Sequence, residues 1–522
     1  MMYSAVRRLL AGMAFCLLAG AAQAAIAPAL LQPLAGDDPD ARVAAVAAIG
    51  ALGTPEAAAV LRALKDESLY LTPDGQVVGV APAAAPEGAA AIVVNNRLRA
   101  AVEAALSGMD LLAPEPAQRL AAARALVGQE LSAGQLELAQ RALKTEQNAE
   151  VRPALQLLLA LASLQSPQAG ERAAAARQVG ELGGSAQRPA LQAMLEQVTS
   201  APDEAVRLAV TDALKAIDAR QARTELVGNL FYGVSLASVL LLAALGLAIT
   251  FGLMGIINMA HGELLMIGAY TTYLVQSLFR HYLPQAVDLY LLAALPAAFA
   301  GAALVGMALE RSVIRWLYGR PLETLLATWG ISLVLMQTVR TLFGAQNVEV
   351  ANPAWMSGGV TVLGSLVLPY NRIAIIVFAV LVTAGVWLLL NGTRLGLFVR
   401  AVMQNRRMAG CVGVPTGRID MLTFGLGSGI AGLGGVALSQ LGNVGPDLGQ
   451  SYIIDSFMVV VLGGVGQLAG TVIAALGLGE VNKLLEPVTG AVLAKIAILA
   501  FIIIFIQRRP QGLFAVKGRS VE

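Results

Sequence analysis

Asn258, His261 and Glu263 stand inside GLMGIINMAHGELLMIGAY, Gly252 to Tyr270, a stretch that is otherwise apolar. An amide, an imidazole and a carboxylate so placed are costly in hydrocarbon and must face protein, water or an interface. Two readings stay open: a polar lining or gate of a pathway, or a hydrogen-bonded helix break at an interface. The first apolar stretch should end near Gly252 on the inner side, so these residues are expected close to that surface, where a gate fits better than central recognition. Nearer the midplane or the outer mouth, the candidates are Thr328, Ser332 and Gln337 on one span and Ser428, Ser439, Gln440 and Asn443 on another. Such side chains offer donors and acceptors without charge; equally, they serve as contacts between helices.

Other chemistry is missing from the sequence. No Gly-Lys dipeptide occurs, so no Walker A loop can hold nucleotide phosphates, and no HExxH or GxSxG pattern is present. His261 and His281 are too separated for such a metal site, and Cys16 and Cys411 define neither a disulfide framework nor a zinc spacing. No metal and no cofactor is expected in this chain, and no ATP hydrolysis by it.

The elements that must position these residues follow from composition. With 57% hydrophobic and 13% charged residues, the chain lies outside the range of soluble domains, and a disordered or nucleic-acid-binding protein is excluded. Uncharged windows run Leu226 to Gly262, Leu289 to Leu309, Ile373 to Thr393, Met421 to Pro446 and Ser456 to Gly479; roughly 20 apolar residues suffice to cross a bilayer. Further spans are expected at about Ile256 to Phe279, Leu322 to Phe343 and Pro487 to Gln507. Arginines mark the cytoplasmic loops: Arg311, Arg315 and Arg320; then Arg394, Arg400, Arg406, Arg407 and Arg418; then Arg508 and Arg509 near the carboxyl terminus. The opposite loops, around Asp288, Glu349 and Asp447, are poor in them.

The amino terminus supplies an independent orientation. Arg7 and Arg8 precede an apolar run, Leu9 to Ala21, and Ala22-Gln23-Ala24 offers a small-x-small cleavage site. Residues 1–24 are therefore expected to be a signal peptide, with the following domain exported. A chain that enters the membrane from outside and ends inside crosses an odd number of times. Six crossings reach about Leu441, and Asp455 to Gln507 is too long for one pass at about 1.5 Å per residue. Gly463, Gly464 and Gly466, with Gly470 after them, break that segment. Nine passes are predicted, or seven plus a re-entrant hairpin; discontinuous helices of this kind line transport pathways.

Between the signal peptide and the membrane domain, residues 25–223 are rich in Ala and Leu at amphipathic-helix spacing. Aligning arginines exposes an internal repeat: RVAAVAAIGALG from Arg42, RLAAARAL from Arg119, RPALQLLLAL from Arg152, RAAAARQVGELG from Arg172 and RLAVTDAL from Arg207. Ile49, Leu126, Leu159, Val179 and Leu214 each follow seven residues later. Spacings such as Arg119 to Arg152 fall in the helical-repeat range of roughly 33 to 47 residues. The pattern resembles HEAT repeats. SLYLTPDGQVVGV signals a hairpin, so a small insertion is placed near 68–94. A solenoid of this kind offers a docking surface or acts as a passive cap.

Three motifs carry a more specific resemblance. They are INMAHGE at Ile257 to Glu263, the basic loop RAVMQNRRMAGCVG at Arg400 to Gly413, and GGVGQLAG at Gly463 to Gly470 with RPQGL at Arg509 to Leu513. In this order they resemble the permease subunits of Liv-type branched-chain amino acid ABC importers, over the whole of Leu226 to Arg519. The added signal peptide and repeat domain resemble the first permease subunit of the urea importers in that family. The resemblance implies an all-α chain with a periplasmic HEAT-like domain, a membrane domain over 226–507 and a cytoplasmic tail over 508–522, in the bacterial inner membrane.

It also implies the partners: a second related permease, two cytoplasmic ATPases that bind ATP and Mg, a periplasmic solute-binding protein and membrane lipid. The ATPase-docking loop then maps onto Arg400, Ala401, Arg406, Arg407, Ala409 and Gly413, with small residues allowing close approach and arginines fixing register. Urea is the expected solute, with branched-chain amino acids or short amides as the alternative. An ion-coupled transporter working alone and a membrane-anchored scaffold are the competing classes. Charge agrees with the proposed orientation: 17 basic against 11 acidic residues from Leu226 onward, and 17 against 23 in the exported part once Arg7 and Arg8 are removed.

Overall fold

Helix starts in the amino-terminal half are set by short polar residues and proline. Asp38 accepts from the Asp40 amide (2.9 Å) ahead of α1, Pro39–Leu52, and Thr54 accepts from the Ala57 amide (3.3 Å) ahead of α2, Pro55–Lys65. Each thereby satisfies an amide that has no partner inside its helix, and proline fits the first helical position. The computed structural model describes residues 26–36, 38–72, 77–79, 89–199, 203–363 and 366–514. The expected signal peptide, the Pro73-Asp74-Gly75 turn and the tail beyond Phe514 lie outside these residues. The chain divides into two units, Met1–Ala222 and Arg223–Glu522.

In the first unit, strands β1, Leu69–Leu71, β2, Val77–Gly79, and β3, Ala90–Ala91, form an antiparallel sheet in the order β2-β1-β3. Then come α3, Asn96–Met109, α4, Pro116–Leu126, α5, Ala133–Thr145, α6, Val151–Ser163, α7, Ala169–Leu182, and α8, Arg188–Thr199. Helix α9, Glu204–Met254, carries residues of both units. Of the aligned apolar positions, Ile49, Leu126 and Val179 are buried core, and Leu159 and Leu214 pack at the edges of two of its clusters.

Two of the aligned arginines do the same work. Arg119 donates to the carbonyls of Ala113 and Pro114 (2.9 and 2.8 Å) and pairs with Glu146; Arg172 donates to those of Ser166 and Pro167 (both 3.0 Å) and pairs with Asp203. In both cases the guanidinium clamps the residues five and six positions before it, so the turn entering the helix is held by the helix itself.

The second unit continues with α10, His261–Tyr282, α11, Tyr290–Ser312, and α12, Pro321–Phe343. A hairpin of β4, Gly359–Val362, and β5, Leu366–Pro369, leads to α13, Tyr370–Gly392, α14, Arg394–Gln404, and α15, Arg406–Cys411. Helices α16, Thr416–Ser439, α17, Leu448–Gly463, α18, Leu468–Thr489, and α19, Ala491–Arg508, complete it. The apolar windows of α9 and α16 are 83% and 78% buried against 17–33% for the other candidate spans, so these two helices are central. Helix α16 enters the packing through its glycines: a Cβ at Gly268 would lie 2.1 Å from the Gly432 carbonyl oxygen. Backbones that approach so closely gain dispersion contacts which apolar lipid cannot supply through a hydrophobic effect.

The chain is mostly helical; the β1–β2 pairing falls where SLYLTPDGQVVGV signals a hairpin, and the β4–β5 hairpin departs from the all-α expectation. Among the described residues, seven helices are long and apolar enough to cross a membrane, not nine. Helix α17 has 16 residues, about 24 Å at 1.5 Å per residue, short of the roughly 30 Å hydrocarbon core. Helix α10 has the length but carries Glu263 and Arg280. Boundaries also move. The first helix stops at Met254, the next starts at His261 rather than near Ile256, the window Ser456 to Gly479 is cut after Gly463, and Pro487 belongs to α18 while α19 begins at Ala491.

Candidate functional site

Residues 255–260 interrupt the helical path between α9 and α10, with Gly255 at φ +69°, a conformation glycine adopts without strain. The amide oxygen of Asn258 accepts from the Ala260 N–H (3.0 Å), and His261 Nε2 donates to the Ala243 carbonyl of α9 (2.9 Å). Glu263 Oε1 accepts from the Ser332 hydroxyl (2.9 Å). The Thr328 hydroxyl accepts from the Met259 N–H (3.1 Å) and donates to the Thr324 carbonyl one turn back (2.8 Å). Thr324, Thr328 and Ser332 are spaced four apart, so they form one polar stripe on α12, and all three are buried.

These contacts correct the expected depth of the segment. Ser332 is the twelfth residue of the 23 in α12. Gly246, which meets the His261 ring, also meets Gly427, the twelfth residue of the 24 in α16. The broken segment thus lies opposite the middles of two membrane helices, not at their inner ends. It carries Asn258 Nδ2, His261 Nδ1 and Glu263 Oε2, all buried and all without a hydrogen-bond partner. Burying one such atom unsatisfied costs about 1–3 kcal/mol, so three in six residues mark a place built for a polar guest or water.

The remaining uncharged candidates do not join this cluster. Gln337 is exposed, because it stands five residues beyond Ser332 and off the four-residue stripe. The Ser428 hydroxyl donates to the Phe424 carbonyl of its own helix (2.7 Å) and fills the space over Gly306, a packing role. Gln440 accepts from the Tyr290 hydroxyl (3.1 Å) and donates to Ser439 (3.1 Å). Asn443 is exposed on a separate cavity of about 330 Å³, shared with Asn347, Asp447 and Tyr452. The first turn of α17 borders that cavity, and its Gly449 packs against Gly262 and the Glu263 amide.

The basic loop folds as two short helices. Thr393 caps α14 and Asn405 caps α15 (Oδ1 to the Met408 amide, 2.9 Å). Ala409 is buried, and Gly413, at φ +89°, ends α15 in the left-handed region. Ala401 is half-buried and Arg407 exposed, while Arg400 is drawn back to the Leu390 carbonyl. Arg406 pairs with buried Asp420 and stacks 4.5 Å over the Tyr318 ring. Tyr318 donates to Glu310 (3.1 Å), and burial pushes its hydroxyl pKa up, which keeps it a donor. Tyr318, Glu310 and Asp420 escaped the sequence reading; a carboxylate at the edge of each of two apolar windows was the available signal.

The Gly463-to-Gly470 segment and the terminal RPQGLF, separate in the sequence, meet in the structure. Gly463 and Gly470 face each other, Gly466 backs onto Gly252, and Gly464 lies under the Phe514 carbonyl. The Leu513 amide donates to the Leu462 carbonyl (2.9 Å).

Among the described residues, seven membrane-length helices and a buried, broken, polar segment define an integral membrane protein of the transporter type. Residues 229–507 match the profile of a family described as the branched-chain amino acid transport system permease component, and the chain belongs to that family. It is 30% identical over 291 residues to the high-affinity branched-chain amino acid transport system permease protein BraD of Pseudomonas aeruginosa, covering 55% of this chain and 94% of the relative. It is 28% identical over 295 residues to LivH of Escherichia coli K12, with the same coverage. It is 32% identical over 104 residues to the ribose import permease protein RbsC of Escherichia coli K12, covering 19% of this chain and 32% of the relative. No solved structure matches it. The chain is a permease component and not an enzyme.

Proposed function

We propose that this chain is a transmembrane permease subunit of an ATP-driven importer in a bacterial inner membrane, moving a small polar solute, urea first among the candidates. The observation that carries the reading is the broken segment Asn258 to Glu263 with its three unpartnered buried atoms. Its neighbours Thr328 and Ser332 add uncharged hydrogen-bonding groups, which suit a neutral solute rich in N–H donors.

In this reading α14 and α15, over Arg400 to Gly413, dock one of two cytoplasmic ATPases. Support comes from large apolar side chains left exposed beside the arginines, Leu397, Met408 and Val412. A second permease and a periplasmic solute-binding protein complete the assembly. Residues 25–223 form a periplasmic HEAT-like domain behind a cleaved signal peptide, supported by the recurring clamps of Arg119 and Arg172. The basic end faces the cytoplasm: Arg406 on Tyr318 joins two of the arginine-bearing loops.

A second reading, transport of branched-chain amino acids, is favoured by the names of BraD and LivH. The pathway role is tested by placing a cysteine at Asn258 in a Cys16→Ser/Cys411→Ser background. A water-soluble thiol reagent should label it in turnover conditions, with solute protecting. Absence of labelling in every state would sink the pathway role.

A further inference from the structure

Resting on the docking role proposed for Arg400 to Gly413, we infer that Arg406 is the positioning residue through which α15 moves the broken segment, by way of Asp420, Tyr318 and Ile256. Arg406 is the first residue of α15, and its side chain is 45% exposed while that of its partner Asp420 is 3% exposed. The charge on the docking helix is thus anchored on a carboxylate fixed inside α16. The same guanidinium lies over Tyr318, whose hydroxyl reaches Glu310 in the last turn of α11. One side chain therefore grips both α16 and α11, two of the helices packed against α10.

The next layer is apolar and leads to the site. Phe424 stands one turn after Asp420 on the same face of α16, and Ile314 follows Glu310 by four residues. With Ile256 these two form a buried cluster, and Tyr318 and Met254 pack on its edge. Ile256 is two residues before Asn258. Lifting α15 alone would strand the Asp420 carboxylate in a buried place with its cation withdrawn, which is unfavourable. The helix is instead held to move with the inner ends of α16 and α11, and the wedge at Ile256 passes that shift to Asn258. Arg400 cannot serve in this way because it is bound back to Leu390 beside its own helix, and Arg407, exposed like Arg406, makes no ion pair among the described residues.

The test uses the complete importer in proteoliposomes, with the partner permease, both ATPases and the binding protein. Two quantities are read: the yield of a thiol cross-link from exposed Cys411 of α15 to the ATPase subunit, and solute moved per ATP hydrolysed. Asp420→Asn should leave the cross-link at wild-type yield and lower the transport ratio by about threefold to thirtyfold. Tyr318→Phe, which keeps the ring and removes the hydroxyl, should lower it less. The double variant Arg406→Gln/Asp420→Asn should be no worse than Arg406→Gln alone. An unchanged ratio in Asp420→Asn, or additive losses in the double variant, overturns the inference. No cross-link in the wild type overturns the docking role beneath it, and the inference falls with it. If Asp420→Asn does not assemble, Arg406→Gln with Tyr318→Phe provides the same cycle.

Discussion

Replacing Gly435 by alanine tests whether helix α16 holds the site through backbone contact. The new methyl would sit 2.0 Å from the Leu265 carbonyl oxygen and 2.7 Å from the Ala269 nitrogen, where ordinary contact begins at 3.4 Å. The two helices must open by about 1.4 Å, and both opposing atoms are backbone of α10, so no side chain can turn aside. Alanine gains about 1 kcal/mol over glycine in helix propensity, while overpacking costs about 1–3 kcal/mol. With rigid backbone as the obstacle, the upper end applies and the net loss is about 2 kcal/mol. Gly330 in α12 is the internal control, because a Cβ there meets nothing within 4 Å and only the gain of up to about 1 kcal/mol remains.

The two variants should differ by about 3 kcal/mol in thermal melting of the purified full-length protein in detergent. Gly435→Ala should also lose uptake, since α10 carries His261 and Glu263 away from Ala243 and Ser332. Equal melting of the two variants would refute the close-packing argument.

Ser332→Ala removes the hydroxyl that Glu263 accepts from; at about 1.5 kcal/mol for a hydrogen bond to a carboxylate, uptake should fall roughly tenfold, measured as initial rate in cells. Glu146→Gln removes the buried charge that half-buried Arg119 pairs with and should destabilise the amino-terminal unit by about 3 kcal/mol, the lower end for breaking a buried pair, read as faster limited proteolysis of that unit in the full chain. The hydrogen bond from Arg119 holds the Glu146 carboxyl below the usual carboxylate range. Its contribution is therefore complete above the ordinary value and is lost as pH falls through the lower folded one. In acid, wild type and Glu146→Gln should converge in stability. Gly464→Ala meets both a left-handed φ of +100° and the Phe514 carbonyl at 2.4 Å, so the terminal RPQGLF should detach and become more accessible to carboxypeptidase.

Much of the architecture was legible because hydrocarbon imposes a length and a composition on each helix. The INMAHGE run pointed at the segment that the structure finds broken and buried, while the orientation read from arginines and signal-like residues rests on the sequence alone. Depth was not legible: Asn258 to Glu263 reads as an inner-end feature because α9 ends at Met254, yet the chain turns back to the level of Ala243 before α10 starts. Nor were partners across the bundle. Nothing in the spacing of Arg406, Tyr318, Glu310 and Asp420 pairs them, and nothing joins the Gly463 turn to Leu513. The stripe Thr324, Thr328, Ser332 was half seen, and a four-residue count would have excluded Gln337. Ser428 resembles a lining residue in composition and is a packing residue in geometry, a distinction that depends on Gly306 opposite it.

The account stands most directly on uptake of labelled urea in energised cells lacking the chain, restored with wild type or with Asn258→Leu, and with leucine in excess as competitor. Wild type should restore urea uptake, Asn258→Leu should not, and leucine should leave it undiminished. Unchanged urea uptake in the deleted cells, together with loss of leucine uptake, would contradict it.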